Sequence, residues 1–295
     1  MITLTIRKAR VDDLPQVYDI FFENEVGDDP APPPRGEVPA ELRHELETSD
    51  MYVADQNGQV LGFTALTTRG SIAFLSELFV RPSEQSHHVG TTLLQHILPR
   101  DERICCTLSS ADHRALALYI RAGMRPRWPN FCLRANAPAP YALPVTDVTV
   151  VEGRPDDPEL VQWDAEISGR ARPEDHAFWV REQRAVPLWF QRQGVVVGYG
   201  YVRLGAGTIY SPAACTLGPI GARTPDDAGA CVLAAVAWAR PHATVLRIDV
   251  PGPHPGLAPL LDAHFRVVDV ETFVSTEHIP FVDPQRYIGS GGSLF

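Results

Sequence analysis

The residues Leu75–Leu94 constrain this chain more than any other stretch. Leu75 to Val80 reads as an apolar strand, and Pro82 breaks it abruptly. A short polar loop, Gln85–Gly90, then feeds a helix that carries Val89, Leu93 and Ile97 on one face with Leu94 and Leu98 beside them. A chain that passes from strand through loop to helix start presents several main-chain N–H groups without helical acceptors, at the positive end of the helix dipole. That arrangement suits a phosphate group. The loop is neither a Walker loop nor a dinucleotide fingerprint, because it lacks both the Gly-Lys-Ser/Thr ending and the spaced glycines.

At 295 residues the chain is long enough for two domains, each with its own core. Its 44% hydrophobic and 21% charged residues describe a folded globular protein rather than a disordered one. A formal net charge of −10 argues against a nucleic-acid surface and mildly favours cationic small molecules. The five cysteines (Cys105, Cys106, Cys132, Cys215, Cys231) form no CxxC pair and show no metal spacing, so buried free thiols and no metal site are expected. The first residues lack an apolar signal core and no apolar run is long enough to span a bilayer, which predicts a cytoplasmic protein without a membrane partner.

Taken in order, the pattern predicts a strand over Ile2–Ala9, a helix after Val11, an acid- and proline-rich loop over Gly27–Arg35, and a second helix near Pro39–Thr48. Met51–Leu66 reads as a hairpin turning at Asn57-Gly58. After the opening stretch come a buried strand at Ile104–Leu108, a helix over Ala111–Ala122 stopped by Gly123, and a strand to Leu133. The proline- and alanine-rich stretch 137–146 reads as a linker between a first domain, 1–136, and a second, 147–295. The second half repeats the order: a strand at Asp147–Val151, two helices separated near Gly169–Pro173, and a hairpin around Arg192–Gly194. Two strands between Thr208 and Ile220, a helix over Asp226–Ala239, and a closing strand–helix–strand from Val245 to Thr276 complete it. Each half is α/β (α+β) with a mainly antiparallel sheet flanked by helices.

These residues resemble the GNAT (Gcn5-related N-acetyltransferase) superfamily. Gln85-Ser86-His87-His88-Val89-Gly90 is similar to the family's Gln/Arg-x-x-Gly-x-Gly/Ala pyrophosphate loop, and Asp112–Met124 to its Asn-x-x-Ala-x-x-Leu-Tyr-x-x-x-Gly-Phe segment. Two such halves resemble the tandem-GNAT architecture of bacterial acetyltransferases. The resemblance implies acetyl-CoA as co-substrate and a small amine as acceptor, in a monomer or homodimer. It implies main-chain contacts from Leu78, Phe79 and Val80 to the acyl and pantetheine portions. The loop Gln85, Ser86, His87, His88, Val89, Gly90 and Thr91 would hold the pyrophosphate, with Asp112 nearby at a helix start. Tyr119 falls on the family's tyrosine, often the general acid, or else is an aromatic core residue. Glu77, the carboxylate within the central strand, is the candidate base unless strand alternation turns it to solvent.

The sequence departs from the family at His88 and Ser86, which stand where glycines are usual, and at Asp112, which replaces Asn. In the second half Gly229 falls at the place of Gly90, preceded by Asp226 and Asp227, which would repel a phosphate. There Leu260 replaces Tyr119 and Thr216 lies opposite Glu77, so the first half is the expected catalytic domain and the second is degenerate. The chain closes on a Gly/Ser run and Leu294-Phe295. This is either a disordered tail or, as in some tandem relatives, a terminal carboxylate in the active site. The expected function is acetyl-CoA-dependent N-acyltransfer to a small amine; the alternative is a catalytically silent acyl-CoA-binding or ligand-sensing protein.

Overall fold

The computed structural model describes residues 4–137, 143–292 and 294–295, and the chain divides into two compact units, Met1–Thr107 and Leu108–Phe295.

In the first unit β1 (Thr5–Lys8) leads through a 3-10 turn at Val11–Asp13 into α1 (Leu14–Val26). The buried Asp13 carboxylate holds that entry by accepting from the Arg10 main chain and from Arg7 Nη1 and Nη2, each at 2.7 Å. Helix α2 (Ala40–Thr48) follows, then β2 (Asp50–Gln56) and β3 (Gln59–Arg69). Asn57 (φ +55°) and Gly58 (φ +86°) turn this hairpin, and the Asp55 carboxylate accepts the Gly58 N–H at 2.8 Å. A turn with both central residues at positive φ matches the twist of the flanking strands. Strands β4 (Ile72–Val80) and β5 (Ile104–Ser109) close the sheet in the order β1-β2-β3-β4-β5, with α3 (Val89–Ile97) between them in sequence. All neighbours are antiparallel except β4 and β5. Val17, Tyr18, Ile20, Leu42, Val53 and Phe63 fill one side of this sheet against α1 and α2, and Val89 and Leu93 of α3 cover Ala54 on the other.

The second unit begins with α4 (His113–Arg121) and β6 (Arg125–Asn136), which the sequence reading assigned to the first half. It continues with β7 (Val148–Glu152), α5 (Pro158–Ser168), α6 (Pro173–Glu182), β8 (Ala185–Arg192), β9 (Val195–Arg203) and β10 (Cys215–Ala222). Helix α7 (Pro225–Ala239), β11 (Val245–Pro251), α8 (Leu257–Asp262), β12 (Arg266–Ser275) and a short β13 (Tyr287–Ile288) complete it. Its strands run β12-β6-β11-β10-β9-β8-β7. The expected pair of strands over Thr208–Ile220 is one strand only. Thr208 and Ser211 exchange both main-chain hydrogen bonds (3.1 and 3.0 Å) in a tight turn, and Pro212 follows, so no ladder forms before Cys215. Of the expected linker, residues 138–142 lie outside the described residues. Helix α7 lies close on the sheet because β9 and β10 carry glycines there: a Cβ on Gly198 would stand 2.9 Å from Cys231 Sγ. All five cysteines are buried and free.

A buried polar network ties the helices of this unit together. Asp164 of α5 accepts Arg172 Nε and Nη2 at 2.7 and 2.8 Å, His176 Nε2 at 3.0 Å and the Tyr199 hydroxyl at 2.5 Å. His176 Nδ1 meets the Tyr201 hydroxyl at 2.8 Å, and Arg172 also reaches the Tyr287 hydroxyl and the Phe295 main-chain oxygen. Burial alone would raise the Asp164 pKa, but Arg172 and then His176 hold it well below the carboxylate range. Removing one member of such a pair leaves an uncompensated buried charge. Asp164→Ala is therefore expected to destabilise the second unit by about 3–5 kcal/mol in chemical denaturation. A change under 1 kcal/mol, roughly the worth of an exposed pair, would show that the network is not coupled to folding.

His254, between β11 and α8, supplies a pH dependence. Its Nδ1 accepts the Gly256 N–H at 3.0 Å, Nε2 is buried without a partner, and burial pushes its pKa down to about 4. The unfolded chain binds the proton near pH 6.5, so the stability contributed by keeping this imidazole neutral is present above 6.5 and is lost as the pH falls toward 4. Thermal unfolding between these values should lose up to about 3 kcal/mol through this group. His254→Asn, which keeps an acceptor for Gly256, should flatten the profile; an unchanged slope would assign it to other groups.

Candidate functional site

The site in the first unit is built on the parting of a parallel strand pair. β4 and β5 pair only over Ile72–Phe74 and Ile104–Cys106, and Thr107 Oγ1 donates to the Leu75 carbonyl at 2.7 Å where the ladder ends. A bulge follows at once, with Ala65 opposite Glu77 but Leu66 opposite Leu75, leaving Ser76 outside the register. Bulges re-aim side chains and main-chain groups. Past it, the Arg81 N–H donates to the Leu61 carbonyl at 2.8 Å. In an antiparallel ladder only every second residue exchanges bonds with its partner. Leu78 and Val80 therefore direct their N–H and C=O groups away from β3, along the edge β5 has left. The Val80 carbonyl is taken by Asn24 Nδ2 (3.0 Å) and Gln85 Nε2 (3.4 Å), while Gln85 Nε2 also donates to Asn24 Oδ1 at 3.0 Å.

Glu77 is 3% exposed, so the strand does not turn it to solvent. Strand alternation places it on the face of Phe79, whose ring stacks on Phe63 at 5.6 Å and meets Phe21 of α1 edge-on at 5.3 Å. Leu78 and Val80 take the opposite face, packed with Val89 and Leu93 of α3.

The loop makes its turn without the usual glycines. Ser86 (φ +69°) and His88 (φ +65°) both adopt the left-handed conformation themselves, at a cost of about 1 kcal/mol each. Pro82–Glu84 forms a 3-10 turn, Arg81 pairs with Glu23 at 2.6 Å, and His87 stands 3.7 Å from Glu84. Gln85 serves to pin the loop to α1 and β4. Helix α3 starts at Val89 with no side-chain cap and no acid in its first turn, so the N–H groups of Val89, Gly90 and Thr91 have no side-chain acceptor there. Gly90 packs against Val80, where a Cβ would already touch Cγ2 at 3.4 Å. Edge, loop and uncapped helix start thus come together in one unit. They suit a chain of amide groups ending in a diphosphate.

Tyr119 and Asp112 lie in the second unit, on α4. Tyr119 is the buried residue of that helix. Asp112 is its N-cap, accepting the Arg114 N–H at 2.8 Å, and its bonds to the Arg114 guanidinium hold it below the usual carboxylate range. Sequence reasoning missed Asn24, which stands between Glu23 and Glu25 late in α1 and carries no motif.

The second unit contains the same parting of strands, filled. β10 runs parallel to β11 only over Cys215–Leu217, and β9 pairs with its other edge at Thr216–Leu217 and again at Ile220–Ala222. β13 pairs with β10 at Ile220 and Gly221, so it occupies the edge that β11 leaves. The Ala222 N–H donates to the Arg286 carbonyl at 2.9 Å, and Arg203 ties down the Ser290 carbonyl. Leu294 and Phe295 are buried and Phe295 stacks on Phe273 at 5.1 Å, so the closing Gly/Ser stretch, where described, is packed rather than a loose tail. At the start of α7 the Thr224 side chain and the Asp227 carboxylate already cap the helix, with Arg192 against Asp227. Thr216 donates to the Ala206 carbonyl at 2.6 Å and Leu260 is fully buried.

Among the described residues no group of three or more His, Cys, Asp or Glu is placed to hold a metal ion, and no helix is long and apolar enough to cross a membrane.

Comparison with known proteins agrees with this geometry. Residues 14–124 match the Acetyltransferase (GNAT) family and residues 160–273 match an Acetyltransferase (GNAT) domain. No curated protein sequence matches the chain. Among solved structures, a putative acetyltransferase from Pyrococcus horikoshii is similar with a TM-score of 0.76 at 18% identity, over 99% of this chain and 96% of that one. A GCN5-related N-acetyltransferase from Sphaerobacter thermophilus gives 0.62 at 16% identity, over 96% and 98% of the two chains. A tandem GNAT protein from the clavulanic acid biosynthesis pathway gives 0.61 at 17%, over 95% and 99%. With two matched domains in one chain and a parted central strand pair in each unit, the protein belongs to the GNAT acetyltransferase superfamily and has its tandem architecture.

Proposed function

We propose that this protein is an acetyl-CoA-dependent N-acetyltransferase acting on a small amine, with its chemistry in the first GNAT domain. The observation that carries the reading is the free edge of Leu78 and Val80 leading to the uncapped start of α3. Leu78, Phe79 and Val80 would line the acyl and pantetheine portions. Main-chain groups of Gln85, Ser86, His87, His88, Val89, Gly90 and Thr91 would cradle the diphosphate. Acetyl-CoA supplies the activated thioester. Glu77, buried beside apolar side chains, is proposed to take the proton of the attacking ammonium, which must be neutral to reach the carbonyl carbon. Tyr119 keeps the role implied by its segment, that of returning a proton to the departing sulfur. Asp112 contributes by capping α4. The second domain is proposed to be non-catalytic, since its own strand β13 stands where the first domain is open. The five buried thiols suit a reducing compartment, and the cytoplasm is proposed.

A second reading has one observation on its side. His88 and Ser86 hold left-handed positions without being glycine, within the loop proposed to cradle the diphosphate. A protein that binds acetyl-CoA without turnover would follow if they displace it from a productive pose.

Calorimetry with acetyl-CoA is expected to give one equivalent per chain, and two equivalents would show that β13 does not close the second cleft. Thiol release with an amine panel then separates the readings: binding without release across the panel selects the silent protein. Absence of acetyl-CoA binding would overturn both. Glu77→Gln should lower kcat/KM by about 10²-fold or more while acetyl-CoA binding persists. Tyr119→Phe should lower kcat by roughly 10–100-fold and remove the alkaline limb of the pH profile. Unchanged kinetics in either variant would remove that residue from the mechanism.

A further inference from the structure

We propose that Asn24 is a positioning residue for acetyl-CoA: its side-chain amide sets the loop Gln85–Thr91 against the open edge of β4, so that one ligand can span both. The inference rests on the acetyl-CoA reading given above and names the group on which the shape of that site depends. Asn24 stands half-buried in the last turn of α1, next to the Glu23 that pairs with Arg81 at 2.6 Å. Its Nδ2 donates to the Ile20 carbonyl one turn back at 2.8 Å and to the Val80 carbonyl at 3.0 Å, and its Oδ1 accepts Gln85 Nε2 at 3.0 Å. With carbonyls on one side and an N–H donor on the other, the amide fits in a single orientation. A carboxylate would lack the donors, and an aliphatic side chain of the same size would lack both kinds of group.

The place of this bridge gives it a function. Val80 is the last residue of β4, and Gln85 precedes Ser86, where the backbone first turns left-handed. Non-glycine residues keep such conformations only where surrounding contacts hold them. Within the turn the Glu84 N–H donates to the Arg81 carbonyl at 2.8 Å and the Gln85 N–H reaches the Pro82 carbonyl only at 3.4 Å, while Ser86, His87 and His88 are exposed. Gln85 Nε2 also reaches the Val80 carbonyl at 3.4 Å, so the two amides and that carbonyl form a triangle across α1, β4 and the loop. It carries the position of helix and strand into the exposed stretch. Binding sites need their parts held to about half an ångström. A ligand that spans edge and loop therefore loses affinity when the two drift apart. The chemistry at Glu77, three residues before Val80, is unaffected once that ligand is bound.

Asn24→Leu keeps the side-chain volume and removes the bridge, and Gln85→Leu breaks it from the loop side; each is confirmed folded by its thermal transition. In the unliganded variants, hydrogen exchange should quicken over residues 83–91 and keep its wild-type rate in the β2–β3 hairpin. Calorimetry should give an acetyl-CoA Kd at least about tenfold above wild type in each variant, with the double variant little weaker than either, because both remove one bridge. At saturating acetyl-CoA, kcat should stay within about twofold of wild type while the KM for acetyl-CoA rises. Wild-type exchange over 83–91, unchanged affinity, additive losses, or a fall in kcat at constant KM would each overturn the role of Asn24. A wild-type protein that binds no acetyl-CoA would overturn the acetyl-CoA reading itself and this role with it, so the wild-type titration tells the two failures apart.

Discussion

Everything in this molecule follows from a constraint on parallel strands: once β4 and β5 stop pairing, the main-chain donors and acceptors of β4 still need partners. Buried N–H and C=O groups are almost always satisfied. In the first unit the ladder ends at Phe74, a bulge at Ser76 re-aims the strand, and Leu78 and Val80 offer their groups sideways. Asn24 and Gln85 satisfy one carbonyl from the outer end. What remains is a row of amide groups on the edge that β5 leaves, beside the uncapped start of α3.

The second unit meets the same constraint with its own chain. β13 supplies the missing ladder at Ile220 and Gly221, and the start of α7 is already occupied by the Thr224 cap and Asp227. Charge follows the same division. The second unit encloses Asp164 with Arg172, a fully buried pair whose desolvation is offset only by a complete set of partners. The same fold is therefore used once with a strand edge left open and once with that edge filled by its own chain.

Much of this was legible in the residues. Asn57-Gly58 announced the hairpin, Pro82 ended β4, and Gly123, at φ +99°, marked the end of α4. Gln85 and Gly90 marked the loop, which the Gln85 side chain tethers to Asn24. The rest was hidden because it depends on partners distant in sequence. Nothing in Tyr287-Ile288 says that a two-residue strand enters a parted ladder, and nothing in Asn24 says which carbonyl it will meet. Glu77 was ambiguous because alternation alone cannot see a bulge one residue earlier. The Thr208–Ile220 stretch misled because its apolar residues resemble strand, while a closed turn and Pro212 prevent one.

The place of β6 has a consequence for how the chain reaches this state. β6 spans Arg125–Asn136, yet it lies between β11 and β12, whose residues run from Val245 to Ser275. A ribosome delivers it long before either neighbour exists. The first unit can close its own ladder as it emerges, whereas β6 must wait with both edges bare through the synthesis of more than a whole domain's worth of helix and strand. Such edges are templates for pairing with foreign strands, and the long loop closure slows the correct partners' arrival. Pro126 and Pro129, each lacking an N–H, interrupt one edge of β6 during that wait. The architecture that gives one chain two acetyltransferase folds thereby makes its assembly depend on a strand that is early in synthesis and late in folding.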